Sequence, residues 1–214
     1  MNPDTTRCEL SRVMLFTGEP PDIKTYKSSW LSQFTNVITC QPGLRHPHLI
    51  LGQTALPWFV GRTYDELIGA DFPAKSDNVS VICSNKAIIG GHRRRLRFVD
   101  RLLELSPMPR FGRGFHDLPD KWDGLAPFRY SVAVENSRHY HYWTEKIADC
   151  FLAGTVPIYW GAPNIRDYFP EEAMILIDTL DPVEVARIIK TEATPEAYQR
   201  RLPALREAKR RVLE

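Results

Sequence analysis

V-E-N-S-R-H-Y-H-Y-W-T-E-K-I-A-D-C-F-L-A-G-T-V-P-I-Y-W-G-A-P-N, residues 134–164, is the stretch that decides the fold. An apolar strand end leads into a polar turn. Trp143, Ile147, Cys150 and Phe151 then recur at i, i+4, i+7 and i+8, which predicts an amphipathic helix over 143–153. Gly154 stops that helix. Val156 to Trp160 is a second apolar run, closed by Gly161-Ala162-Pro163-Asn164. Strand, helix, strand with polar residues at the helix mouth is how an α/β sheet builds a ligand crevice. Glu145 suits the positive helix start, whereas Lys146 does not and calls for an anionic partner.

Upstream, 79–83 reads as a strand buried on both faces and 87–91 as a Gly-containing turn. A helix is predicted over 92–105 from Leu96, Val99, Leu102 and Leu103. Arg93, Arg94 and Arg95 crowd its first turn, where the dipole is already positive. Three readings stay open there: a bound anion, a solvated basic face, or a nucleic-acid patch. Gly112 and Gly114 let the backbone come close to a ligand. Residues 129–134 form a further strand, and 174–178 another. Helices are predicted after Asp181-Pro182 and Thr194-Pro195, with Pro203 kinking or splitting the last. Its basic end, 200–211, reads as a solvated face.

The first third is thinner. Strands are predicted at 13–16, 37–39 and 49–51, and helical pieces at 26–34 and 64–69. Thr17-Gly18-Glu19-Pro20-Pro21 aims Glu19 outward from a strand end, either as a ligand-side carboxylate or as a solvated loop residue. Trp58 and Phe59 either stack on a sugar ring or, as such a pair more often does, belong to the core or plug a domain interface. The polar stretch 71–78 divides the chain into 1–77 and 78–214.

Composition narrows the classes. The 214 residues are 43% hydrophobic with a formal net charge of +2. That near-neutral balance argues against bulk nucleic-acid binding. No apolar run reaches the roughly 20 residues of a membrane helix. Cys8, Cys40, Cys83 and Cys150 are widely spaced with no C-x-x-C pair, and Cys83 and Cys150 lie in apolar runs, so these two are expected as buried thiols in a reducing cytoplasm rather than in a zinc site. The polar start lacks the apolar core of a signal peptide.

The central stretch resembles glycosyltransferase family 10, the α1,3/4-fucosyltransferases. The carrying residues are Glu135-Asn136-Ser137, Tyr142-Trp143-Thr144-Glu145-Lys146-Ile147 and Gly154-Thr155-Val156-Pro157-Ile158-Tyr159-Trp160-Gly161. Ser84-Asn85, Arg95 with Phe98, Phe111-Gly112-Arg113-Gly114 and Phe16-Thr17-Gly18-Glu19 follow the family in order. The resemblance implies a GT-B-like α/β fold of two Rossmann-like lobes, the N-terminal one (1–77) reduced or truncated and the C-terminal one (78–214) binding the donor. It implies inverting transfer of fucose from GDP-fucose to a glycan hydroxyl, with an oligosaccharide or lipopolysaccharide-type acceptor and no required cofactor or metal. Arg95 and Lys146 would hold the pyrophosphate. Ser84, Asn136, Tyr142 and Glu145 would line the donor site, and Glu19 would act as general base. Cytoplasmic location, peripheral contact with the inner membrane face and self-association through an incomplete lobe are further expectations. Two other readings remain: a GDP-sugar-binding remnant without transfer, and a nucleic-acid-binding Rossmann-like module using the basic helix.

Overall fold

The computed structural model describes residues 8–88 and 90–214, with Leu10 by its backbone alone. Residues 1–7, in the polar start, and Ile89, in the expected 87–91 turn, lie outside the described residues.

Two parallel sheets organise the chain. The first has three strands, β1 (Met14–Phe16), β2 (Asn36–Thr39) and β3 (Leu49–Leu51), in the order β1-β2-β3. Its register pairs Leu15 with Val37 and Ile38 with Ile50. The helix expected at 26–34 shrinks to α1 (Ser28–Leu31), which has no side-chain cap at Lys27. A single turn without a cap gains too few backbone bonds to extend. The short helix α2 (Tyr64–Ile68) instead carries a full capping box between Thr63 and Glu66.

The second sheet has five strands: β4 (Asp77–Ile82), β5 (Arg110–Phe111), β6 (Phe128–Val134), β7 (Val156–Trp160) and β8 (Ile175–Leu176). Their order is β5-β4-β6-β7-β8, all parallel. Helix α3 (Gly90–Leu105) joins β4 to β5, and α4 (Glu145–Leu152) joins β6 to β7. The chain thus leaves β4 one way and β6 the other. Right-handed crossovers then place α3 and α4 on opposite faces. Accordingly α4 packs with α6 (Pro195–Leu213), while α3 packs with α5 (Pro182–Glu192). Every residue of β7 is buried, and so is nearly all of β6, which is why both read as continuous apolar runs.

Three features add to the sequence expectations. Helix α6 is one continuous element with Pro203 inside it. Proline removes one hydrogen bond, and the burial of Tyr198, Leu205 and Ala208 on either side offsets that loss. The basic end of α6 is not wholly solvated: Lys209 is buried and donates to the Ala70 carbonyl. Gly154, at φ +68°, closes α4 as expected, but it also admits Phe72, whose ring a Cβ would strike.

Residues 54–75 follow the first sheet in sequence yet bond to the second unit. Thr54 donates to the Trp143 carbonyl, the Phe59 amide donates to Asp149, and Lys75 donates to Ala126 O, Ala153 O and Thr155 Oγ1. Val60 and Leu67 belong to the main core.

Candidate active site

The reversal of strand order between β4 and β6, where the connections run outward in opposite directions, opens a crevice at their carboxyl ends. A cavity of about 480 Å³ lies there. Ser84 enters from the end of β4, Asn136 from the end of β6, Arg95 from α3, and Glu145 with Lys146 from the start of α4. These five of the seven sequence-predicted residues share one wall system. Tyr142 is buried beside it without lining it. Glu19 stands outside it, past the end of β1 in the other sheet.

Helix α3 begins at Gly90, two residues before its expected start. The arginines therefore lie beyond its first positions, and helical spacing separates them. Arg93 and Arg94 are exposed, with Arg94 stacked over Trp160 at 4.8 Å. Arg95 alone turns inward, 8% exposed. Its Nη1 donates to Asn136 Oδ1 at 2.6 Å, while its buried Nε has no partner among the described residues. Gly91 brings the helix start against the loop after β6: a Cβ there would collide with the Asn136 carbonyl oxygen.

The mouth of α4 is an ion cluster. Thr144 caps the helix, its Oγ1 accepting from the Lys146 amide. Glu135, fully buried, accepts from the Thr144 amide at 2.9 Å and from its hydroxyl. Lys146 Nζ stands 3.3 Å from Glu135 and 3.2 Å from Glu145. The anion that a lysine at a helix start requires is thus supplied first from within the chain. Lys121 adds a second cation, 3.0 Å from Asp149 and 3.6 Å from Glu145. Burial works against ionised Glu145, but Lys146 and Lys121 outweigh it and bring its carboxyl down to about 2. Burial pushes Glu135 the other way, above its ordinary value, against the pull of Lys146. Ionisation is favoured for the carboxylate at the cavity wall, whereas burial works against it for the one behind.

Across the crevice, Thr17 is buried and donates to Thr39 Oγ1 at 2.6 Å. Gln41 donates to the carbonyls of Glu19 and Lys24, which fixes the Glu19 loop. Asp22 in that loop shares a hydrogen bond with His139 Nε2 at 2.9 Å, tying it to the loop after β6. Tyr142 lies between the two sides. Burial first, then the carboxylates of Glu135, Glu19 and Glu145, hold its phenol far above the usual range.

Other expectations resolve as follows. Gly112 and Gly114 adopt φ of +120° and +82° and pack closely on Cys83, Ser84 and Asn85, and Gly112 also lines the cavity. Trp58 packs on the core with its indole N–H on Arg62 O, and Phe59 is exposed beside Lys121; neither lines the cavity. Sequence reasoning missed Glu135, Lys121, Asp149 and His92 as site-forming residues. Only Glu135 had a signal, its place at a strand end. Among the described residues, no group of three or more His, Cys, Asp or Glu is placed to hold a metal ion, and no helix is long and apolar enough to cross a membrane.

A family model described as "Glycosyltransferase family 10 (fucosyltransferase) C-term" matches residues 72–201. The chain belongs to glycosyltransferase family 10. Alpha-(1,3)-fucosyltransferase FucT of Helicobacter pylori is 33% identical over 82 residues, 36% of this chain and 17% of that protein. Alpha-(1,4)-fucosyltransferase of Arabidopsis thaliana is 28% identical over 127 residues, 48% of this chain and 31% of that one. The chain therefore spans less than a third of the length of these curated relatives. A crystal structure of alpha1,3-fucosyltransferase with GDP-fucose superposes with a TM-score of 0.60 at 17% identity, covering 94% of this chain and 74% of that one. The family 10 chain shares the GT-B-like, parallel α/β fold of that enzyme.

Proposed function

We propose that the chain carries the GDP-fucose site of an inverting fucosyltransferase that acts on a glycan hydroxyl. The observation that carries this reading is the gathering of Arg95, Lys146, Ser84 and Asn136 at the strand-order reversal, where open α/β sheets bind nucleotides. Arg95, oriented by Asn136, and Lys146, oriented by Glu135 and Glu145, face the pyrophosphate. Their charges stabilise the diphosphate as it leaves with the electron pair of the broken C1–O bond. Ionised Glu145 accepts hydrogen bonds from ribose or sugar hydroxyls, and buried Tyr142 shapes the wall behind it. Glu19 takes the proton from the acceptor hydroxyl as its oxygen attacks C1 from the face opposite the diphosphate. That direction of attack inverts the anomeric centre. General-base help of this kind is worth about 10²–10⁴ in rate.

Calorimetry with GDP and a transfer assay with GDP-fucose test the reading together. Arg95→Ala and Lys146→Ala are expected to weaken GDP binding, and unchanged affinity in both sinks the donor assignment. Glu19→Gln is expected to keep GDP binding and lose transfer. A fully active Glu19→Gln protein excludes Glu19 as the base. GDP binding by the wild-type chain without turnover on any acceptor favours a donor-binding remnant instead.

A further inference from the structure

Arg95 is not the only side chain that α3 turns toward the cavity. His92 lies three residues earlier on the same helix face, is 7% exposed and lines the same wall. Its Nδ1 is buried and has no hydrogen-bond partner among the described residues, and neighbouring Arg95 Nε is in the same state. Two unpartnered polar atoms on one buried wall mark a place where a ligand's polar atoms belong.

The surrounding charge says which ligand. Arg95 faces His92 from α3, Lys86 from the loop after β4, and Lys146 from α4, with Glu145 and Glu135 on that lysine's far side. The rest of the cavity wall carries Arg113, Asp117 and Lys121. Burial first, and then the three cations, push the imidazole below its ordinary 6.5. It is therefore neutral at neutral pH in the free protein. A diphosphate entering this wall cancels the repulsion of those cations and favours the imidazolium.

We propose that His92 is a further donor-binding residue, which hydrogen-bonds the diphosphate through Nδ1 and takes up a proton from solvent as the nucleotide sugar binds. This rests on the donor-site reading above. Protonation follows binding, so binding tightens as pH falls through the bound imidazole's range and levels off below the free one.

The test is calorimetry of the whole chain with GDP-fucose, whose doubly esterified diphosphate does not titrate near neutrality as GDP's terminal phosphate does. Titrations between about pH 6 and about pH 8, in two buffers of different ionisation heat, read the protons exchanged. The expected result is net uptake approaching one proton and affinity about tenfold tighter at the acid end. His92→Gln should bind with no uptake and a flat pH profile. Uptake unchanged in His92→Gln overturns the proposal, as does binding by the wild-type chain with no proton exchanged. Should the variant not fold, the His92 ring-proton resonance of the wild type decides: it must move to the imidazolium position on saturation, and a resonance that stays neutral overturns the proposal. Absence of any GDP-fucose binding is a different failure, that of the donor site itself.

Discussion

The five-stranded sheet is covered by helices on both faces, whereas the three-stranded sheet leaves apolar side chains in the open. Phe151, Ile147, Ile158 and Tyr130 are fully enclosed in the first case. In the second, Met14, Phe16, Ile50 and Leu51 are each about half exposed, and among the described residues Leu31, Val37 and Cys40 are the enclosed apolar ones. The large core begins at Val60 and contains nothing from the smaller sheet. The donor-side cavity is built wholly from the well-packed unit, and the candidate base sits on the lightly packed one. On the proposed function, the donor side is the closely packed wall and the acceptor side the lightly packed one. Among the described residues, Gln41 and Cys40 hydrogen-bond the Glu19 carbonyl within the smaller unit, and the Asp22–His139 bond ties its loop to the loop after β6.

The strongest way to break this contrast is a large-to-small change in the bigger core. Phe151→Ala should cost about 4 kcal/mol, read as a lowered urea midpoint. A loss below about 1 kcal/mol would mean that the core is not the continuous one described. Next comes Lys146→Met, which strips the fully buried Glu135 of its cation and should cost about 3 kcal/mol. Adding Glu135→Gln should return most of that stability without returning nucleotide affinity. Recovery of both would show that Lys146 serves only the fold.

An effect of similar size is set by acid. Glu145 titrates near 2 in the folded chain against an ordinary 4.5. Its folded value is depressed, so its contribution is complete above about pH 4.5 and disappears as pH falls toward 2. The total is about 3 kcal/mol. Urea midpoints across that window should fall less steeply in Glu145→Gln than in the wild type. Identical slopes would show that Lys121 and Lys146 do not hold this carboxylate.

The order of strands and helices in the larger unit was legible because buried parallel strands read as unbroken apolar runs and each helix carries its own stop. The cavity residues were legible wherever a motif put them at a strand end or helix mouth, as with Ser84, Asn136 and Glu145. Lys146 was only half legible. Its misplaced charge was visible, but its first partner, Glu135, is brought to it by the fold of the 136–143 loop, in which His141 adopts φ +64°. Lys121 and Asp149 lie 28 residues apart, and Asp149 meets the Phe59 amide across 90. Pairings of that range depend on the whole topology. For the same reason 54–75 looked like part of the first lobe, although Lys75 bonds to carbonyls 51 and 78 residues away. His92 carried no signal, because nothing in one sequence says which ring nitrogen ends up without a partner.

The smallest expected effect probes the lightly packed sheet itself. Ile50 sits in β3, which pairs with β2 on one side and has no described strand on the other. It is 47% exposed, so Ile50→Thr removes little enclosed apolar surface and keeps the branched side chain that strands favour. Stability should change by less than about 0.5 kcal/mol, measured by urea unfolding beside Phe151→Ala. The same substitution at Ile158, enclosed in β7, would place a hydroxyl where no water reaches and should cost several times more. If Ile50→Thr instead approaches the Ile158→Thr loss, the face bearing Ile50 is covered in solution by a surface this chain's own fold does not supply. The contrast between the sheets would then describe the isolated chain and not its working form.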